Sequence, residues 1–141
     1  MKRLLGLDVG RRRIGIALSD PLGLTAQPLE VWRSRGIGED VAHIKEVCAR
    51  VGVTRIVLGK PLRTDGTEGP EVLYVRAFAE ALAAAIPDVE IALWDERFTT
   101  QEAERSLMQQ GLDGRRRRQV VDMAAAALIL QAYMERSRHR E

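Results

Sequence analysis

Carboxylates stand at three places in this 141-residue chain where their surroundings favour a chemical role. Asp8 ends an apolar run, Asp95 and Glu96 end a second one, and Asp122 lies in an otherwise apolar segment. A carboxylate in an apolar helix is costly to desolvate unless a cation or strong donors compensate its charge. Carboxylate oxygens are the hard ligands that Mg²⁺ and Mn²⁺ prefer. Together the three places predict a site for a divalent metal ion.

Arginines adjoin each of these acids in the sequence. Those nearest to them are Arg11, Arg12, Arg13, Arg97, Arg115, Arg116, Arg117 and Arg118. A guanidinium group binds phosphate oxygens in a bidentate manner. Metal-binding acids beside such groups suit the hydrolysis of a phosphodiester, in which two ions about 3.5–4 Å apart can act on one bond. This interpretation predicts in-line attack of water on nucleic acid.

Each of these features also has a simpler explanation. Asp8, close to Gly10, is typical of a turn, and Asp95-Glu96 fits a strand end that precedes a capped helix. Asp122 near a helix N-terminus would gain about 0.3–1 kcal/mol from the helix dipole alone. Residues 115–118 are equally consistent with a solvated basic loop. The interpretation as a site therefore depends on whether the fold brings the acids together.

The pattern of apolar residues predicts five strands. They lie at about 4–9, 14–17, 24–32, 55–59 and 89–94. Short turns join the first three, so they are expected to form an antiparallel meander, in which Pro28 suits an edge strand. The last two flank a helix and are expected to be parallel. Because the fourth strand is apolar on both faces, it is predicted to be central and covered.

Helical spacing and capping signals predict four helices. They are placed at 37–51, from Pro70 to about 86, from about 99 to 110, and at about 119–136. Residues 111–118 are predicted to be a mobile basic loop. The loop 60–69, which begins with Lys60, is long for a connection and could contact the strand that is cut. The last helix is apolar almost all round, which predicts burial against the sheet.

These elements predict a single α/β domain over residues 1–141, with a mixed five-stranded sheet flanked by helices. In this topology the first strand, the last strand and the final helix can bring Asp8, Glu96 and Asp122 together. Alternation along the last strand directs Asp95 and Glu96 to opposite faces, so only one of them is expected to enter the site.

Composition argues against several other classes of protein. A net charge of +2 is too small for a protein that coats nucleic acid. The single cysteine, Cys48, leaves no disulfide and favours a reducing cytoplasm. No apolar stretch approaches the roughly 18 residues that cross a membrane. Two histidines assemble no zinc set, and two each of Trp, Tyr and Phe are too few for a base-stacking platform.

Four segments of the chain resemble the YqgF family, also called RuvX, which has a ribonuclease H-like fold. They are GLDVGRRRIGIALSD at 6–20, GKPLRTDGTEG at 59–69, DERFTT at 95–100 and VDMAAAALIL at 121–130. The match extends over nearly the whole chain, and the four segments together are highly specific. Proteins of this family are described as Holliday junction resolvases and as pre-16S ribosomal RNA nucleases.

The resemblance implies that the catalytic and metal-binding carboxylates are Asp8, Asp122 and one of the pair Asp95 and Glu96. Two Mg²⁺ or Mn²⁺ ions are expected, with Asp8 between them. Many ribonuclease H-like nucleases carry the second carboxylate at the end of the fourth strand, but here residues 58–61 read Leu-Gly-Lys-Pro. The role is therefore expected at the fifth strand, where we favour Glu96. Lys60 and the arginines near the acids are expected to contact nucleic acid.

The main functional hypothesis is a cytoplasmic, metal-dependent nuclease in 16S rRNA 5′ end maturation, with branched or single-stranded DNA as the rival substrate. Symmetric resolution of a four-way junction would require two active sites and therefore a homodimer. A catalytically silent RNA-binding or ribosome-assembly module is a further alternative, and it would bind RNA equally well in EDTA. The first turn also resembles the phosphate loop of actin and sugar kinases, but 141 residues leave no room for their second domain.

Overall fold

The computed structural model of the protein describes residues 3–96 and 114–139, and in the second range it describes the side chains of 125–137. The elements in chain order are β1 (Arg3–Val9), β2 (Arg13–Ser19), β3 (Ala26–Arg33), α1 (Ile37–Val51), β4 (Val53–Lys60), α2 (Pro70–Ala85), β5 (Glu90–Asp95) and α3 (Gly114–His139). None of the described helices combines the length and hydropathy that a membrane span requires.

The five described strands form one mixed sheet in the order β3-β2-β1-β4-β5. β1 pairs with β2 and β2 with β3 in antiparallel fashion, whereas β4 is parallel to both of its neighbours, β1 and β5. The predicted meander and the predicted parallel pair are therefore confirmed. β4 lies between β1 and β5, so the ends of these three strands meet at one edge of the sheet.

Pro28 lies on an edge strand, as predicted. The pairing of β2 with β3 passes from Ile16 opposite Glu30 to Ala17 opposite Pro28, which leaves Leu29 as an extra residue in β3. Proline cannot donate a ladder hydrogen bond, and a bulge at an edge discourages pairing with another strand. The irregularity therefore suits the outer position of β3.

Both faces of the sheet are covered. Leu5 and Leu7 of β1 pack with residues of α1 and α2, such as Ile44 and Phe78. The opposite face carries Val57 of β4, which packs against the side chains of α3. Because side chains alternate between the two faces along each strand, neighbouring positions of a strand belong to two separate apolar clusters.

α3 lies very close to the centre of the sheet. A Cβ atom added at Gly6 would lie 2.8 Å from both the Ala126 carbonyl oxygen and the Leu130 Cβ. Ala126, Ile129 and Leu130 are fully buried. The predicted burial of the last helix is thus confirmed, and it depends on a glycine in β1 facing an alanine in α3.

Two predictions about the C-terminal third need comment. α3 begins at Gly114 instead of near residue 119, so the predicted loop is wrong for residues 114–118. Arginine is a good helix former, and nothing between 115 and 119 breaks a helix. The helix predicted at about 99–110 and residues 111–113 lie outside the described residues.

Candidate active site

Asp8 and Glu96 meet at the shared edge of β1, β4 and β5. Leu7 of β1 is paired with Leu58 of β4, so Asp8 stands beside Gly59, one position further along. A Cβ atom at Gly59 would collide with Glu96 Oε2 and would lie 3.0 Å from Glu96 Cδ. The carboxylate of Glu96 therefore covers the backbone of Gly59 and lies next to Asp8.

Gly59 is a site residue that the sequence analysis did not identify. The Ile129 Cδ1 atom of α3 would lie 2.6 Å from its added Cβ, so the space above Gly59 is filled from two sides. Only a residue without a side chain leaves room there for a carboxylate. A signal was present in the sequence, since the apolar run of β4 ends at Gly59 without a carboxylate.

The pKa of Glu96 is strongly perturbed. Burial, together with the smaller effects of the negative charges of Asp8 and Asp95, raises it from 4.5 to about 8. Glu96 Oε2 is buried and has no hydrogen-bond partner among the described residues. A buried carboxylate in this condition is costly unless a proton or a cation neutralises it.

The two carboxylates are directed to the same face of the sheet. Trp94 packs in the apolar cluster that includes α3, whereas Leu93 packs in the opposite one. Alternation therefore directs Asp95 toward the side of α1 and α2. Glu96 follows the strand and covers Gly59 on the α3 side, where Asp8 also lies. The geometry thus brings Glu96, and not Asp95, to the face that Asp8 occupies.

Asp122 belongs to α3, and its side chain lies outside the described part. The backbone of the helix still shows where along β1 residue 122 lies. Ala126 lies over Gly6, while Tyr133 accepts a hydrogen bond of 2.8 Å from Arg55 near the start of β4, so α3 runs opposite to β1 and β4. One turn before Ala126, about 6 Å along the axis, residue 122 approaches the end of β1 that holds Asp8.

The described side chains alone do not form a complete metal site. Within 3–96 and 125–137 there is no group of three or more His, Cys, Asp or Glu side chains that could hold an ion. Asp8 and Glu96 are hard oxygen donors that repel each other, which fits a divalent cation. A third protein ligand would have to come from another part of the chain.

The arginines after Asp8 form an exposed turn between β1 and β2, closed by a 2.9 Å hydrogen bond from the Gly10 N–H to the Arg13 carbonyl. The Arg11 guanidinium lies 5.0 Å from the centre of the Tyr74 ring. The turn and Asp8 line a cleft of about 350 Å³ together with Glu71 and Tyr74 of α2. These two α2 residues were also missed, and the only hint was Pro70, which begins α2 close to the end of β4.

The other predicted nucleic-acid contacts have different outcomes. Lys60 ends β4, and its carbonyl accepts a 3.3 Å hydrogen bond from the Glu96 N–H. Residues 115–118 lie in the first turns of α3, and their side chains are not among those described. Arg97 lies outside the described residues. The structure therefore brings together Asp8, Glu96 and the arginine turn.

Sequence comparison identifies close relatives. A family model described as "RuvX: Holliday junction resolvase" matches residues 2–136. A protein of Moorella thermoacetica is 48% identical over 134 residues, which cover 95% of both chains. One of Symbiobacterium thermophilum is 47% identical over 133 residues, covering 94% of this chain and 92% of the relative. Both are named "Putative pre-16S rRNA nuclease".

Comparison of structures gives the same fold. T. thermophilus RuvC in complex with a Holliday junction substrate superposes with a TM-score of 0.58 and 19% identity, covering 95% of this chain and 96% of the other. Fowlpox virus resolvase in complex with Holliday junction DNA gives a TM-score of 0.53 and 11% identity, covering 94% and 98%. The likeness confirms the predicted ribonuclease H-like architecture.

Proposed function

The chain belongs to the RuvX family, and from this premise we propose that it is a metal-dependent nuclease whose catalytic carboxylates are Asp8, Glu96 and Asp122. The observation that carries the proposal is the meeting of Asp8 and Glu96 over Gly59. A buried carboxylate oxygen that lacks a hydrogen-bond partner among the described residues destabilises the fold while it is charged. It is accounted for if a cation neutralises it during catalysis.

Asp8, Glu96 and Asp122 would hold Mg²⁺ or Mn²⁺. Such ions, when two are bound, supply a polarised water and charge stabilisation for the leaving oxygen of a phosphodiester. Asp8 stands on a central strand with Gly15 opposite it in β2 and Gly59 beside it in β4. Neither neighbour has a side chain to obstruct it, which would leave the Asp8 carboxylate open to a metal ion.

The arginine turn would position the substrate. Arg11, Arg12 and Arg13 line the cleft that also contains Asp8, and guanidinium groups recognise phosphate oxygens bidentately. Holding a phosphate in this cleft would place its neighbouring phosphodiester at the carboxylates. Lys60, Arg97 and residues 115–118 are proposed to add further phosphate contacts.

We propose pre-16S rRNA as the substrate, because the relatives that share 47–48% of this sequence are named for it. Branched DNA is the second candidate. The family description names a Holliday junction resolvase, and the structures of similar fold contain Holliday junctions. Cutting a four-way junction symmetrically would need two copies of the site, so that candidate also requires a homodimer.

The test is cleavage of labelled RNA spanning the 5′ end of 16S rRNA, and of a synthetic four-way DNA junction, in Mg²⁺ or Mn²⁺. We expect Asp8→Asn to slow cleavage of the true substrate by at least about 100-fold, since changes in the outer shell of metal sites already cost 10–100-fold. Asp88→Asn is the matched control, because Asp88 is exposed in the turn before β5. If wild type cuts neither substrate and binds RNA equally well in EDTA, the protein is a binding module.

A further inference from the structure

A second basic groove lies beside the proposed active site. It runs between the β1–β2 turn and the end of β3 and has a volume of about 650 Å³. Its described lining consists of Arg11, Arg12, Arg13, Val31, Arg33 and Ser34. Four of these six residues are arginines, and none of the six is acidic. A groove of this composition favours a polyanion.

The pairing of β2 with β3 concentrates positive charge in this groove. Arg13 is directly opposite Arg33 in the antiparallel ladder, and like charges in that relation destabilise a sheet. Arg33 is exposed and has no ion pair with any residue that the structure describes. An anion that enters the groove would therefore meet the exposed guanidinium group of Arg33.

A buried carboxylate holds the far wall of the groove through hydrogen bonds. Asp40 of α1 is fully buried. It accepts hydrogen bonds of 3.0 Å from the Trp32 Nε1–H, 2.5 Å from the Ser34 hydroxyl and 2.8 Å from the Arg35 N–H. Trp32 is also stacked on His43, with ring centres 3.7 Å apart. The end of β3 that carries Arg33 is therefore held on α1.

A hydrogen bond joins the arginine turn, which forms the other wall of the groove, to the end of β3. The Ser34 N–H donates a 2.8 Å hydrogen bond to the Arg12 carbonyl, so the arginine turn and the end of β3 form one unit. A binding surface that is ordered before its ligand arrives loses less entropy on binding. This network accounts for a fully buried aspartate that the proposed hydrolysis does not use.

The groove continues from the active-site cleft. Arg11, Arg12 and Arg13 line both. Asp8 is opposite Gly15, and Gly15 is opposite Val31, so these residues form one row across β1, β2 and β3. Two strand spacings separate β1 from β3, which is about 10 Å. A nucleic-acid backbone that is held by the arginine turn beside Asp8 can therefore extend into the groove.

We propose that this groove binds the sugar-phosphate backbone of the substrate next to the bond that is cut, and that Arg33 contacts one of its phosphates. The inference rests on the proposed function, since it assumes a nucleic-acid substrate at Asp8. It adds a binding residue on β3 that lies outside all the motifs identified in the sequence.

The test measures binding of a labelled single-stranded RNA as a function of salt, in an Asp8→Asn background that does not cut it. Each phosphate contact contributes about 0.7 to the slope of log K against log salt for single strands. Arg33→Gln should therefore flatten the slope by about 0.7, which between 1 M and 50 mM salt corresponds to about eightfold in affinity. Arg33→Lys, which keeps the charge, should retain the slope.

Arg50→Gln is the matched control, because Arg50 is an exposed arginine in the last turn of α1 and its loss should leave the slope unchanged. RNA binding with equal slopes in the Arg33→Gln and Arg50→Gln proteins would overturn the inference and leave the proposed nuclease intact. If the background protein bound neither RNA nor a DNA junction, both the inference and the proposed function would fall.

Discussion

At the scale of single residues, the site depends on a glycine that lets two carboxylates approach each other. Gly59 lies beside Asp8, and Glu96 covers its backbone. The consequence is electrostatic: burial and the neighbouring acids raise the pKa of Glu96 to about 8. The charged form of Glu96 is therefore disfavoured in the metal-free fold, and a cation that binds there would stabilise it.

Replacing Gly59 with alanine should disrupt this arrangement. The added Cβ would collide with Glu96 Oε2 and would lie 2.6 Å from Ile129 Cδ1, so Glu96 or α3 must shift. We expect a destabilisation of about 1–3 kcal/mol, typical of overpacking, together with loss of cleavage. Chemical denaturation and a cleavage assay measure the two effects.

Gly38→Ala is the control for this substitution. Gly38 lies in α1, and nothing is within 4 Å of its added Cβ, so alanine should leave stability unchanged or raise it by up to about 1 kcal/mol. A Gly59→Ala protein with the stability and activity of wild type would show that Glu96 does not require this space.

Glu96 should make the stability of the metal-free protein fall as the pH rises. Its pKa is 4.5 ordinarily and about 8 in the fold, so the folded state binds its proton more tightly than the unfolded chain does. The resulting stabilisation is complete below about pH 4.5 and is lost as the pH rises to about 8. In EDTA, the free energy of unfolding should therefore decrease over this range.

Glu96→Gln isolates this contribution, because glutamine does not titrate. Denaturant titrations at several pH values should give a smaller decrease for the variant than for wild type. Added Mg²⁺ should restore stability to wild type at pH 8, since the cation replaces the proton. Parallel pH profiles for the two proteins would contradict the raised pKa.

At the scale of elements, the end of β3 is attached to α1 by a carboxylate that is satisfied entirely by protein groups. Asp40 accepts hydrogen bonds from Trp32, Ser34 and Arg35. A buried charge is tolerated only when hydrogen bonds replace its hydration. β3 is an edge strand with a bulge and a proline, and it pairs with a strand on one side only. Its hydrogen bonds to α1 therefore fix the end of the strand that has no second neighbour in the sheet.

Asp40→Ala should therefore be strongly destabilising, by about 2–5 kcal/mol, because it leaves three partly buried donors without an acceptor. Glu39→Ala, one residue earlier and exposed in the first turn of α1, should change stability by less than about 1 kcal/mol. Thermal or chemical unfolding compares the two. Equal stabilities of the Asp40→Ala and Glu39→Ala proteins would mean that water replaces the hydrogen bonds of Asp40 without loss of stability.

Much of the element structure could be predicted from local sequence. α1 ends at Val51 because Gly52 adopts a left-handed conformation with φ of 74°, and α2 begins at Pro70 as expected. The start of α3 could not be predicted, because four arginines read equally well as a loop or as a helical turn. The role of Asp40 was missed because its partners come from the loop before the helix and from another strand.

At the scale of the whole molecule, the site results from the insertion of β4 between β1 and β5. Period and turn signals predicted the five strands, the antiparallel meander and the parallel pair, and motif resemblance predicted the fold that the comparisons confirm. They could not predict that Gly59 would face Glu96, because that contact joins the ends of two strands that are distant in sequence. The close packing of α3 on Gly6 is likewise a tertiary contact that no local sequence pattern indicates.

The most direct test of the central claim is calorimetric titration of the protein with Mn²⁺ at pH 7, in two buffers that differ in ionisation enthalpy. Because the pKa of Glu96 is about 8, binding should release close to one proton. Asp88→Asn should behave like wild type, Glu96→Gln should bind more weakly without releasing that proton, and Asp8→Asn should lose binding. If Asp8→Asn and Glu96→Gln both bound Mn²⁺ as wild type does, these carboxylates would not form the metal site.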